Sequence, residues 1–397
     1  MRKISANVVF PVSSPPIKNG VVIVDANGKI LSIDHQHNFK KSTLEIYDGI
    51  LCPGFINAHC HLELSYMENK IPQRKGLPEF IINLIEYRKA FSLTNETENL
   101  IYEKIENAEK EMWENGIVAV GDISNDAYSF KVKSKSLMRT HTFIECFGFY
   151  PDQAEVYFKK SLELLNQAQQ QNLTASITPH APYSVPPELF KLIFSYNGNQ
   201  SSLYSYHNQE SDAENIFFKN GIGEFVKVFD HFNLPLSLFD PTGKNSLQSV
   251  IDYFPQNKKT LFVHNIFSNA GDIAAIASQC PESYFCLCPR ANKYIENALP
   301  DFSHFRSFTN RICIGTDSLA SNDQLSVLEE MKTIQAADHS ISTEELLRWA
   351  TLNGARFFDW HDQLGALEIG KAPGLNLITG ISPLFHLTSQ SAVKKIV

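Results

Sequence analysis

The 397 residues carry a formal net charge of −8, with a sequence pI near 5.9, and are 43% hydrophobic and 20% charged. That is globular composition with room for one large domain and a smaller one. It excludes a disordered chain, and the acidic balance excludes a nucleic-acid wrapper or a basic membrane-binding surface. No apolar run approaches the roughly 20 residues of a membrane helix, and the N-terminal stretch lacks the long apolar segment of a signal peptide. The expected location is the cytoplasm. The seven cysteines are odd in number and scattered, which does not read as a disulfide framework. Cys286-Leu-Cys288 is CxC and not the CxxC of a zinc ribbon, so both are expected as buried strand residues.

In chain order, residues 6–13 and 21–34 read as short strands, with Asn27-Gly28 as a hairpin turn. Residues 366–380 read similarly and are followed by a polar tail. Between them come strand candidates at 49–59, 117–124, 140–148, 173–180, 203–209, 260–265, 283–289 and 311–318. Amphipathic stretches separate most of these, such as 78–92 and 98–116, the second stopping at Gly116. Apolar strands alternating with helices imply a parallel sheet covered on both faces. Eight such units over roughly 270 residues suggest an α/β fold of the (β/α)8 TIM-barrel type. A doubly wound sheet is the alternative, but no GxGxxG follows the first of these strands. No GxSxG nucleophile elbow is present either.

Barrel enzymes carry their chemistry at the C-terminal strand ends, and this chain's histidines and acids recur there. They are His59-Cys60-His61, His180, His207 with Glu210, His264 and Asp317. A lone histidine at a strand end is usually a hydrogen-bonded structural residue. The HxH pair is different, because alternation along a strand turns positions 59 and 61 to the same side. Two adjacent imidazoles form a natural metal chelate. Asp317 follows an apolar strand, where a buried carboxylate is costly unless it meets a cation or hydrogen-bond donors. Glu210 lies three residues beyond His207, and its plain alternative is a solvated helix start. The acidic helix within 96–115 reads as a solvated face, and Asp122 and Glu145 as hydrogen-bond acceptors at the barrel mouth.

PGFINAHCHLELS, TPHAPYS, HNQES, VHN, CPRAN and GTDSLASN occur in this order. Together they resemble the amidohydrolase superfamily over about residues 1–380, and within it the purine deaminase and chlorohydrolase branch. The resemblance implies a small β-sandwich domain built from both chain ends, residues 1–50 plus 365–397, around a metal-dependent barrel at 51–364. It implies His59, His61, His207 and Asp317 as ligands of one divalent ion, zinc in the first place and iron as the alternative. Strand 203–209 offers no carboxylated lysine for a second ion, because His207 stands at the matching position. Glu210 matches the proton shuttle, His264 the residue that steadies the attacking hydroxide, and Asp317 a catalytic acceptor of the water's proton. His180 matches a substrate contact, and Glu63 and Arg290 are candidate substrate-binding residues beside it, with Arg74 a weaker one. Arg290 could equally tie loops together.

The implied reaction is hydrolytic deamination: a metal-activated hydroxide attacks the C–NH2 carbon of a ring and ammonia leaves. NAHCHLELS is most similar to the aminofutalosine deaminases, and TPHAPYS fits S-adenosylhomocysteine and adenosine deaminases as well. An adenine-type nucleoside is therefore the expected substrate. The alternatives are guanine or pterin deamination, C–Cl hydrolysis on a ring, amide hydrolysis, and a catalytically silent binding protein. The partners expected are a small-molecule substrate and a second copy of the chain, with neither nucleic acid nor membrane.

Overall fold

The computed structural model describes residues 1–91, 94–196 and 203–397. Its strands are β1 (Arg2–Val9), β2 (Ile17–Lys18), β3 (Gly20–Val24), β4 (Ile30–His35), β5 (Glu45–Cys52), β6 (Phe55–Cys60), β7 (Ile117–Ser124) and β8 (Arg139–Cys146). They continue with β9 (Ala175–Pro179), β10 (Tyr204–Asn208), β11 (Thr260–His264), β12 (Tyr284–Leu287), β13 (Ile312–Ile314), β14 (Asn376–Thr379) and β15 (Ala392–Lys395). Among the described residues these form a seven-stranded sheet and two four-stranded sheets.

The seven-stranded sheet joins the two ends of the chain in the order β15-β14-β5-β1-β3-β4, with β2 on β1. Only the β1–β5 pairing is parallel. Ile4, Ala6, Val9, Val22, Val24, Leu51 and Leu377 bury a common apolar face. The β3–β4 hairpin turns through Asn27 and Gly28, whose φ of 79° suits glycine.

The sheets β6-β7-β8-β9 and β10-β11-β12-β13 are parallel throughout. This is an α/β architecture, as the alternating apolar strands imply. At one seam between the two sheets, His207 N–H donates to the His180 carbonyl at 2.9 Å. At the other, Thr316 and Asp317 N–H both donate to the His59 carbonyl, at 3.0 and 3.1 Å. A parallel bridge between Cys60 and Asp317 lies at that second seam.

One expectation is corrected. The single strand expected at 49–59 is two strands in different sheets, because Pro53 lacks the N–H that pairing needs. Gly54 completes the corner, since a Cβ there would lie 2.3 Å from Val118 Cγ1. The polar tail contributes a further strand, since residues 392–395 form β15 at the sheet edge, paired with β14. Its Val393 and Lys395 alternate with Ala392 and Lys394 in burial, the half-buried pattern of an edge strand.

Helices Leu77–Ala90 and Asn95–Glu114 occupy the two amphipathic stretches; Ser92, at the end of the first, lies outside the described residues. Thr94 caps the second helix through Thr97, and Gly116 follows it with a φ of 79°. All seven cysteines are buried and free, Cys286 and Cys288 among them. No described helix is long and apolar enough to cross a membrane.

Candidate active site

The parallel strands end in polar residues that converge. His59 and His61 sit at the end of β6, His207 near the end of β10, His264 at the end of β11, and Asp317 in the loop after β13. All are buried. His61 Nε2 lies 3.3 Å from His207 Nε2, and Asp317 Oδ1 lies 3.7 Å from His59 Nε2 and 3.5 Å from His61 Nε2. Four donors on the corners of a tetrahedron with arms of 2.0–2.1 Å would stand about 3.3–3.4 Å apart. The observed spacings match that edge with little movement.

The opposite ring nitrogens of His207 and His59 are occupied, which aims their Nε2 atoms inward, while His61 Nδ1 is buried without a hydrogen-bond partner. His207 Nδ1 faces the His180 carbonyl at 3.1 Å and His59 Nδ1 faces Ser205 Oγ at 3.4 Å. His59 Nε2 has no protein hydrogen-bond partner although it is fully buried. Ser321 Oγ donates to Asp317 Oδ2 at 2.6 Å, leaving Oδ1 toward the histidines. Burial, assisted by neighbouring imidazoles, drives His59 well below the usual histidine range and His61 down to about 3. Burial brings His207 down to about 3 as well. Neutral imidazoles and a carboxylate, with an orphaned nitrogen among them, are a donor set that fits a divalent cation.

Glu210 and His264 stand beside this cluster. His264 Nδ1 is 2.8 Å from Asn292 Oδ1, which leaves Nε2 facing Glu210 Oε1 at 3.6 Å. Burial first, and Asp317 second, push the Glu210 carboxyl well above its ordinary range. The solvated helix start considered for Glu210 is not what the fold makes of it, since its side chain is 6% exposed.

His180 approaches from β9. Its Nδ1 meets Ser184 Oγ at 2.6 Å, its Nε2 lies 4.0 Å from Glu145 Oε1, and Phe147 and Tyr183 flank the ring. Glu145 Oε1 is also 3.4 Å from His207 Nδ1. Glu63 is buried two residues past His61, where its Oε2 accepts from the Asn125 and Asp126 N–H groups at 2.8 and 3.1 Å. Its Oε1 faces Arg88 at 3.9 Å. Arg290 does not have a free guanidinium: it donates to Asn322 and Asp323, each at 3.1 Å. Arg74 is held through its backbone N–H to the Tyr294 carbonyl. In the CPRAN segment the contact with the histidine cluster runs through Asn292.

Asp122 is the hydrogen-bond acceptor expected at its strand end, whereas its partner Lys133 carries no signal in the sequence. Lys133 and Asp122 form a buried pair at 2.6 Å, and Asp122 Oδ1 accepts from Leu62 N–H at 2.8 Å, pinning the chain just after His61. Lys133 lies in a lysine-rich stretch that looks solvated in the sequence. Arg88 lies in no motif, and although Asn292 and Ser321 lie in CPRAN and GTDSLASN, their roles toward His264 and Asp317 come from the fold. Backbone strain is a further signal available only from the fold, because Gln209, His264, Asn265 and Asp317 all have left-handed φ, between 44° and 69°.

Comparison with known proteins extends the geometry. Residues 50–397 match the amidohydrolase family. An adenosine deaminase of Helicobacter pylori is 28% identical over 310 residues, covering 78% of this chain and 73% of that protein. An aminodeoxyfutalosine deaminase of Nitratiruptor is 29% identical over 338 residues, covering 83% and 79%. The crystal structure of Helicobacter pylori aminofutalosine deaminase in complex with methylthio-coformycin has a similar fold, with a TM-score of 0.79 at 24% identity over 100% of both chains. Since the family match takes in every one of the converging strand ends, the chain belongs to the amidohydrolase family.

Proposed function

We propose that the protein is a metal-dependent hydrolytic deaminase of an adenine-type nucleoside, with aminofutalosine and S-adenosylhomocysteine as the leading substrates. The observation that carries this reading is the buried convergence of His59, His61, His207 and Asp317, with the Glu210 carboxyl beside it 3.6 Å from His264 Nε2. Names of relatives support it, since they are enzymes named for deaminating adenosine and aminodeoxyfutalosine.

In this reading His59, His61, His207 and Asp317 hold one divalent cation, zinc before iron. Bound there, the cation supplies acidity, lowering the pKa of a coordinated water from about 15.7 toward 7. Glu210 donates its proton to the ring nitrogen beside the C–NH2 carbon, which makes that carbon electrophilic. Asp317 takes a proton from the attacking water, and His264, fixed by Asn292, steadies the nucleophile through Nε2. The proton taken up by Asp317 passes to the departing amine, which leaves as ammonia, and the remaining hydroxyl proton returns to Glu210 as the ring carbonyl forms. His180 faces the substrate, and Glu63 with Arg88 forms the wall behind it. Arg290 serves the site by bracing the loop after Asp317.

The same reading takes the two four-stranded sheets as a closed (β/α)8 barrel, supported by the hydrogen bonds at both seams. It takes residues 51–364 as the barrel domain and 1–50 with 365–397 as a small β-sandwich, supported by the sheet that joins β1–β5 to β14 and β15. A cytoplasmic homodimer completes it.

The test is ammonia release from adenosine, S-adenosylhomocysteine, 5′-methylthioadenosine, aminofutalosine, guanine and cytosine, using protein of measured metal content. Rapid turnover of an adenine compound is expected. Metal-loaded protein that releases no ammonia from any of them would overturn the reading.

A further inference from the structure

The turn that presents Glu210 is built from a strained residue that is bonded at every polar atom. Gln209 has a φ of 44° and is fully buried. Such a conformation in a non-glycine residue persists only where its surroundings over-determine it. Its N–H donates to Glu214 Oε1 at 3.1 Å, and its carbonyl accepts from Phe267 N–H at 3.0 Å. Its side-chain oxygen accepts from Ser268 Oγ at 2.6 Å, and its side-chain amide donates to Asn215 Oδ1 and Asp272 Oδ2, each at 3.2 Å.

These partners come from two places. Glu214 and Asn215 lie on helix Asp212–Asn220, directly after Glu210. Phe267, Ser268 and Asp272 lie in the loop and helix that follow His264. Next to Gln209, the Asn208 carbonyl accepts from Asn265 N–H at 2.9 Å, and Asn208 Nδ2 donates to Asn265 Oδ1 at 3.0 Å. His264 and Asn265 are themselves left-handed, with φ of 69° and 54°. One hydrogen-bond network therefore holds two strained strand ends together, and its product is the 3.6 Å approach of Glu210 Oε1 to His264 Nε2. Glu214 is the anchor on the helix side. It is 1% exposed and its Oε1 also takes the Ser246 hydroxyl, so its carboxylate is committed to the turn and not to solvent.

We infer that Gln209 and Glu214 are positioning residues that set the separation of Glu210 and His264 for proton transfer. Their hydrogen bonds go to neither His59, His61, His207 nor Asp317, and both act through the backbone they hold. The inference rests on the deaminase reading of Glu210.

The test uses full-length protein carrying Gln209→Met or Glu214→Met, each of which keeps much of the side chain's bulk and removes its hydrogen bonds. Ammonia release, KM, bound metal and Tm are measured together with the native enzyme. Displacement of an acid group by an ångström or so predicts a fall in kcat of about 100-fold, with KM and metal stoichiometry within about 3-fold of native. A purely structural role predicts a different pattern, in which kcat falls only in proportion to lost metal or lost folded protein. Ser268→Ala removes a single bond to Gln209 and keeps the question open to refutation if the other variants do not fold; a smaller fall in kcat at native KM is expected. Folded, metal-loaded variants with native kcat would overturn the inference alone. Native enzyme that deaminates no adenine nucleoside would overturn the reading beneath it, and this inference with it.

Discussion

At the starts of the parallel strands, Val118, Leu203 and Leu261 pack with Phe357, Phe358 and Trp360 from the segment after β13, and Phe143 joins them from within β8. At the ends of the same strands stand His59, His207, His264 and Glu210, buried to a similar degree but with His59 Nε2 and His264 Nε2 unbonded. One end is apolar and close-packed; the other is polar and strained in backbone at His264 and Asp317. The difference teaches that burial alone does not mark a core. A packed end contributes stability, while a buried end with orphaned donors stores binding capacity that folding leaves unused.

The comparison can be broken most severely at the polar end. His59→Ala or Asp317→Ala removes one of four converging donors, and metal content and turnover are both expected to fall to background in a protein that still folds. Metal analysis with an ammonia assay checks this. Glu210→Gln is gentler: metal is retained, and kcat falls by about 10²–10⁴-fold, the usual range for a general acid.

At the apolar end the expected losses reverse. Phe357→Ala empties a fully buried site and is expected to cost about 3–5 kcal/mol of stability in a denaturant titration, with kcat per folded molecule unchanged. His141 also belongs to this region, against Phe143 and Phe358. Burial, with a smaller push from Lys133, lowers its imidazole to about 3. The folded chain keeps His141 neutral while the unfolded chain protonates it below its ordinary 6.5. Its contribution to stability is therefore full above pH 6.5 and drains away as the pH falls toward 3, at up to about 1.4 kcal/mol per pH unit. His141→Gln is expected to flatten the acid side of the stability profile measured by denaturant titration. The smallest effect is expected on the exposed face of helix Asn95–Glu114, where Lys110 and Glu114 are 3.8 Å apart with both side chains mostly exposed. Lys110→Ala should leave Tm and kcat unchanged within error.

Much of the polar end is legible in the sequence because its chemistry is carried by rare residues at strand ends. HxH, Glu210 three residues past His207, and Asp317 after an apolar strand all stand out against apolar surroundings. The parallel strands are legible for a similar reason, since their apolar runs are long and their helices amphipathic. The break at Pro53-Gly54 was harder to see, because residues on both sides of it are apolar and only the tertiary fold sends them to different sheets. The supporting layer is the least visible. Asn292, Ser321 and Gln209 lie inside recognisable motifs, but the motifs do not say which side chain meets which, and Lys133 sits in a lysine-rich stretch that hides its buried pairing with Asp122. Arg290 shows the converse. A conspicuous cation after a strand looks like a substrate clamp, yet its guanidinium is taken up by Asn322 and Asp323.

The most direct test of the central claim removes and restores the cation. Chelator-treated protein should lose ammonia release from its adenine nucleoside, and one equivalent of zinc per chain should bring it back. Full turnover by metal-free protein, or recovery only at two equivalents, would contradict the account.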